Sequence, residues 1–220
     1  MKLKSPITKY KDEPIYITLP YGDKSFLDAY KRLGWDLAFH NGLDCVNSVD
    51  PIRAYGSPVL ATQDGVVQKV AYETSLTAKG NGLTIEGLPF IKDDKKMLLT
   101  ELHWHLSDVC VKAGDFVKAG QKVGSLGNSG FSVGGDDSPM KGTHDHFGVF
   151  LYVFNEAKKA WELACPDNGV QGAVNPEDWL EENWRTNAPV YEPQGLFHAE
   201  EIVRIIAKSI EVLKNWFKGR

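Results

Sequence analysis

The residues best suited to chemistry in this chain are its histidines. Six occur, at positions 40, 103, 105, 144, 146 and 198, and five of them fall into three short clusters inside β-rich sequence. Side chains alternate across a strand, so neighbours two apart project to the same face. Along Met97 to Leu106 the even positions Leu98, Leu102, Trp104 and Leu106 are apolar. The alternation therefore predicts Glu101, His103 and His105 together on the opposite, less buried face. The same rule puts His144 and His146 side by side, with Phe147, Val149 and Leu151 turned the other way. The third cluster is His40-Asn41-Gly42-Leu43-Asp44, which reads as a strand end running into a turn. Gly42 would let the chain bend there so that the imidazole and the carboxylate point at one ion. Neutral imidazole nitrogen and carboxylate oxygen are the usual ligands of catalytic zinc when thiolates are absent, three from the protein and a fourth position left to water. His40, Asp44, His103, His105, His144 and His146 offer more than three donors, and spacing alone does not choose among them. Those that bind no metal would sit beside it or act as acid and base.

These clusters need a scaffold, and the composition supplies one. The chain has 220 residues, 42% of them apolar, with six Trp, eight Tyr and ten Phe, enough to build a core without disulfides. Its net charge of −4 carries no basic field for nucleic-acid phosphates. Cys45, Cys110 and Cys165 are odd in number, with no C-x-x-C pair, and read as small buried hydrophobes. Short β-prone runs recur at Val59 to Ala61, Val66 to Ala71, Leu83 to Glu86, Met97 to Leu106, Lys122 to Leu126 and Phe147 to Phe154. Turn pairs Asp64-Gly65, Asn81-Gly82 and Ala119-Gly120 between them predict hairpins. The expected fold is mainly β, a compact antiparallel sheet or sandwich. Around it the chain divides into an N-terminal arm over 1–35, a catalytic domain over 36–185, a Pro-containing linker over 186–197 and an amphipathic helix over 198–220. The arm holds one short strand, Ile15 to Leu19, and a helix from Lys24 to Leu33. In the last segment Ile202, Ile205, Ile206, Ile210, Leu213 and Trp216 line one face at helical period. That face would pack on the domain, or dock to a partner or a membrane surface. No apolar run reaches the length of a bilayer span, and the N-terminus has no apolar signal core.

Several motifs, in order, resemble one known family. His40-Asn41-Gly42-Leu43-Asp44, Ser57 to Val67, His105-Leu106-Ser107, Val111 to Gly124, Gly127-Asn128-Ser129-Gly130 and His144-Asp145-His146-Phe147 are similar to the motif series of the lysostaphin-type (LytM-like) zinc endopeptidases of peptidoglycan. The match spans about Phe39 to Tyr152, with a looser echo at Asn175-Pro176. The resemblance implies the duplicated hybrid β fold of that family. It implies zinc ligands at His40, Asp44 and His146, and non-ligand catalytic histidines at His105 and His144. It implies hydrolysis of peptidoglycan peptides through a zinc-activated water, with one of the two catalytic histidines taking the proton.

The chain departs from the family pattern at three places. His103 stands where an aromatic is usual and is left as a residue of the groove or its surroundings. Phe131 to Thr143 is a longer, Gly-rich acidic loop that would border the groove, and Gly87 to Lys96 would be a solvated hairpin connection. Peptidoglycan peptides are the expected partner. A wall enzyme without an export signal fits a phage endolysin made in the cytoplasm, or a chain whose signal has been removed. The alternatives are a catalytically inactive peptidoglycan-binding or hydrolase-activator module, and a biotin or lipoyl carrier. The carrier reading lacks the lysine hairpin such domains need.

Overall fold

The computed structural model describes residues 1–73, 75, 78–132 and 140–181. The linker at 186–197 and the segment at 198–220, with His198, lie outside the described residues.

The described chain is built from strands β1 (Tyr16–Leu19), β2 (Leu43–Val46), β3 (Pro58–Leu60), β4 (Gly65–Ala71), β5 (Asn81–Gly87), β6 (Phe90–Lys92) and β7 (Lys95–Leu106). They are followed by β8 (Asp108–Val109), β9 (Phe116–Val117), β10 (Lys122–Ser125), β11 (Asp145–Asn155), β12 (Ala160–Leu163) and β13 (Ala173–Val174). Among the described residues, helical structure is limited to α1 (Leu27–Arg32), α2 (Pro51–Ala54) and one 3-10 turn, Pro176–Asp178. All strand pairs are antiparallel. The large sheet runs β1-β2-β11-β7-β5-β4-β9, with β12 and β13 also on β11 and β6 on β7, and β3-β10-β8 form a second, smaller sheet. One apolar cluster takes Val59, Val109 and Val123 from the small sheet and Leu83, Ile85, Leu99 and Phe147 from the large one, so the core lies between the two. Burying a side chain such as Phe147 there contributes on the order of 2–3 kcal/mol.

The mainly β, antiparallel fold expected from the sequence is present, with several local differences. The N-terminal arm is part of the core: Leu3, Ile7, Ile15 and Ile17 are buried, Leu3 bridges Leu180, and β1 pairs with β2. Asn81-Gly82 is not a turn but the first two residues of β5, because Gly82 faces β7 so closely that a Cβ would lie 2.3 Å from the His103 carbonyl oxygen. Within Gly87 to Lys96, Phe90–Lys92 pairs with β7 and only Asp93-Asp94, both at positive φ, form the turn. Phe90 packs edge-on against Trp179. The cysteines differ too, since Cys45 is buried in β2 whereas Cys110 and Cys165 are exposed, and none of the three is in a disulfide. A small thiol gains its full burial free energy only inside the core, and these two lie on short surface connections.

Titration with a thiol reagent is therefore expected to modify two cysteines per native chain quickly and the third only on unfolding. Three fast sites would place Cys45 outside the core.

Candidate active site

Strand β11 lies between β2 and β7, and that placement assembles the site. His146 is opposite Asp44 of β2 on one side and Trp104 of β7 on the other. Directly opposed residues bring their Cβ atoms to about 4.5–5.5 Å, close enough for short polar side chains to meet. His146 Nδ1 lies 3.0 Å from Asp44 Oδ1, and its ring stacks on the Trp104 indole at 5.2 Å with an 18° tilt. His40, four residues before Asp44, brings its Nε2 to 3.1 Å from the same carboxylate oxygen and 3.0 Å from His146 Nδ1. Gly42 makes this possible by leaving space, not by bending the chain as the sequence suggests. Its φ is not in the left-handed region, but a Cβ there would lie 2.7 Å from both His146 Nε2 and the Phe147 carbonyl oxygen.

His40, Asp44 and His146 thus form a group that could hold a metal ion. Burial works against the Asp44 charge, but His40 and His144, and hydrogen bonds from the imidazoles, hold its pKa well below the usual carboxylate value. Burial also opposes the His40 cation, and Asp44 overrides it and raises the His40 pKa. For His146 burial prevails and the pKa falls. The three converging atoms are all lone-pair donors unless one proton is shared among them. A cation at their centre replaces that proton. Ligand atoms around a tetrahedral ion with bonds of about 2.0–2.2 Å stand about 3.3–3.5 Å apart, so the observed spacing needs adjustment by only a few tenths of an ångström. The donor set of two imidazoles and one carboxylate fits zinc.

His105 and His144 complete the site, with ring centroids 4.6 Å apart and His105 6.2 Å from His146. His144 is on the same side as His146, as alternation predicts. His105 is not where alternation puts it. The β5–β7 register slips between Leu83 and Asn81, and His105 takes φ +65°, so the strand bulges and its ring swings away from the His103 side to the metal side. Such a φ is uncommon for a residue other than glycine, and here the side chain joins the cluster because of it.

Three of the four imidazoles are oriented by the main chain. His40, His105 and His144 each donate Nδ1–H to a carbonyl oxygen, of Pro20 at 3.1 Å, Ser129 at 2.8 Å and Gly142 at 2.7 Å. A carbonyl only accepts, so each Nδ1 carries the hydrogen and each Nε2 is free to face the centre. His144 Nε2 lies 3.6 Å from Asp44 Oδ2. Burial first, and then the neighbouring His144 and His146, push the His105 pKa down to about 3, so this ring is a neutral proton acceptor near pH 7.

His103 belongs to a different environment. It is fully buried, as is Glu101, which corrects the expectation that both lie on the less buried face of the strand. Its Nδ1 lies 2.9 Å from Asp145 Oδ2, its Nε2 3.9 Å from Glu101 Oε1, and its ring packs on Phe147. Glu101 in turn accepts hydrogen bonds from the Thr62 backbone N–H and hydroxyl. Polar residues at alternating positions suggested solvent, whereas here they pair inside the core, with His103 Nε2 and Asp145 Oδ1 left without a hydrogen bond among the described residues. Burial opposes a charge on His103, but Asp145 and Glu101 raise its pKa to about 10.

Sequence reasoning missed Asp145, Trp104, Pro20, Ser129 and Gly142. Asp145 had a readable signal, a carboxylate between two histidines on a strand whose opposite face is core; the carbonyl acceptors had none. Of the Phe131 to Thr143 loop, the described ends touch the site: Gly142 orients His144, and Ser132 Oγ lies 3.4 Å from His144 Nδ1. Asn175-Pro176 is structural, with the Asn175 side chain accepting from Glu177 N–H to start the 3-10 turn.

Comparison with known proteins agrees with this geometry. Residues 38–155 match the model of peptidase family M23. The chain belongs to that family. His40, Asp44, His105, His144 and His146 all fall within the matched span. Over 86 residues it is 36% identical to an uncharacterized metalloprotease of Haemophilus influenzae, covering 39% of this chain and 16% of that protein. The chain thus spans about a sixth of that relative's length. A mutant of the catalytic domain of the prophage-encoded M23 protein EnpA from Enterococcus faecalis is similar at 24% identity and a TM-score of 0.44, covering 78% of this chain and 95% of that one. The catalytic domain of lysostaphin from Staphylococcus simulans is similar at 24% identity and a TM-score of 0.37, covering 69% and 86%.

The buried ion pair sets a pH dependence of stability. An unfolded His titrates at about 6.5, and the folded His103 at about 10. Between these values the folded state binds the extra proton. Stability is therefore expected to be greatest below about pH 6.5 from this group and to fall as pH rises toward 10, seen as a declining urea midpoint. Asp145→Asn is expected to flatten that decline and to cost about 3–5 kcal/mol. A wild-type midpoint that does not change over this range would show that His103 is neutral.

Proposed function

We propose that this M23 peptidase is a zinc endopeptidase that hydrolyses peptide bonds of bacterial peptidoglycan, with His40, Asp44 and His146 as the metal ligands and His105 and His144 as the catalytic histidines. The observation that carries the reading is the convergence of His40 Nε2, Asp44 Oδ1 and His146 Nδ1 at 3.0–3.1 Å, with the His105 and His144 rings beside them and His144 Nε2 3.6 Å from Asp44 Oδ2. Peptidoglycan as the substrate rests on the sequence resemblance to the lysostaphin-type enzymes.

When bound, zinc supplies Lewis acidity toward a carbonyl oxygen and lowers the pKa of water. The chain's own residues supply the rest. His105 is oriented by the Ser129 carbonyl with Nε2 as its free acceptor, the position from which a proton of the attacking water would be taken. As the imidazolium, with Nε2 protonated as well as Nδ1, His144, held by Gly142 and beside Asp44, can stabilise the developing oxyanion or pass a proton to the leaving amine. Proton transfer and oxyanion stabilisation of this kind each contribute about 10²–10³-fold in rate. Trp104 keeps the His146 ring in its orientation, and Gly42 keeps it in reach of Asp44.

Incubation of zinc-loaded protein with sacculi of several cross-link types is expected to release new free amino groups, and His146→Ala to release none. Release of none by wild type on any sacculus would replace the enzyme with a binding or activator module. Gly42→Ala, which displaces the His146 ring, is expected to weaken zinc binding about 10–100-fold, the range for a residue that orients a ligand. Unchanged affinity in a competitive chelator titration would remove His146 from the ligand set.

A further inference from the structure

Next to the metal ligands lies a cation that the hydrolytic machinery does not use. Lys79 is half-buried, and its Nζ sits 4.3 Å over the Trp104 ring, the same ring that stacks on His146 at 5.2 Å. These two distances together bound the separation of the ammonium from the His146 ring. Among the described residues Lys79 makes no ion pair or hydrogen bond, and its contact is the indole face. Partial burial pushes its pKa down although the charge of Glu73 acts the other way, and the indole face is its direct contact.

The position is fixed from both sides. Main-chain residues 78–81 are clamped to the segment that orients His105: Phe131 N–H donates to the Ala78 carbonyl at 2.8 Å, and Asn81 N–H donates to Ser129 Oγ at 2.8 Å. Gly80, at φ +81°, approaches Ser129 so closely that a Cβ would lie 2.3 Å from its carbonyl oxygen, the acceptor of the His105 hydrogen bond. Trp104 is wedged in turn, because Gly82 leaves the space its Cδ1 edge fills. The backbone that sets the catalytic histidine therefore also sets the root of the lysine, and the ring beneath the lysine touches a metal ligand.

We propose that Lys79 and Trp104 form a specificity subsite for a carboxylate of the substrate, within about three residues of the scissile bond. An extended peptide advances at most ~3.3–3.6 Å per residue, so the bounded separation covers about three residues. The ammonium pairs with the carboxylate, and the indole packs on the aliphatic part of the same residue. Of the peptides the metal centre could cleave, those with a free carboxylate at this distance are selected over the same peptides as carboxamides. The assignment rests on the peptidase reading above.

The test uses the zinc-loaded full chain and two matched cross-linked muropeptides, one with free carboxylates and one with the same groups amidated. For wild type, kcat/KM is expected to be about tenfold or more higher for the acid, and the ratio to shrink with added salt. Lys79→Met is expected to bring the ratio to within about twofold by raising KM for the acid, and Lys79→Arg to retain most of the preference. Equal rates on acid and amide by wild type, or an undiminished preference in Lys79→Met, would overturn the subsite. If wild type cleaves neither peptide, the peptidase reading fails separately, and calorimetric binding of the same two peptides decides the subsite. Tighter binding of the acid, lost in Lys79→Met, supports it, and equal binding overturns it.

Discussion

The main-chain hydrogen bonding of β11 to β2 and β7 is the constraint from which the rest of the site follows. A strand held on both sides cannot slip by one residue without turning every side chain to the other face. Slippage is opposed by burial of Phe147 and Val149 on the core side and by the Asp145–His103 pair, so His144 and His146 are forced to the opposite side. The partner strands then deliver Asp44 and Trp104 to the same place. Nothing in the site needs a long flexible side chain to reach it. Short groups on adjacent strands already stand at the distances the chemistry needs.

The face behind the site is built differently from the face in front. In front, imidazoles and a carboxylate converge on one point, with the other nitrogens of His40, His105 and His144 tied to carbonyls. Behind, a histidine and two carboxylates are closed off from water and pair with one another and with Thr62. An isolated buried charge would be costly, whereas this set places one imidazolium between two acids. The two clusters share strands β7 and β11 but have opposite electrostatic logic. Asp44 draws positive charge toward the groove, and Asp145 draws it toward the core.

The sequence made much of this legible, for physical reasons that also explain where it did not. Period-2 patterning read β11 correctly because that strand is regular through His144, His146, Phe147 and Val149. The same pattern failed on β7 at one residue, His105, whose positive φ no local sequence signal announces. Glu101 and His103 looked like a wet face because alternation sees polarity and not pairing, and their partners Thr62 and Asp145 come from distant strands. The role of Gly42 was visible as a glycine but not as a vacancy for an imidazole, since that depends on β11 lying alongside. The arm over 1–35 carried no visible chemistry, yet the Pro20 carbonyl orients His40 and β1 extends the sheet beside β2.

The use of carbonyl oxygens to orient His40, His105 and His144 has a consequence for how such a protein can change. A main-chain acceptor is the same whichever side chain its residue bears, so the orientation of the rings is encoded in the path of three connecting segments and not in the identities along them. Those segments can change in composition wherever the path needs no particular side chain, which around Ser129 it does, since Ser129 Oγ accepts from Asn81 N–H and Gly80 leaves room for the Ser129 carbonyl. The surface around the site can change while the ring nitrogens stay where they are.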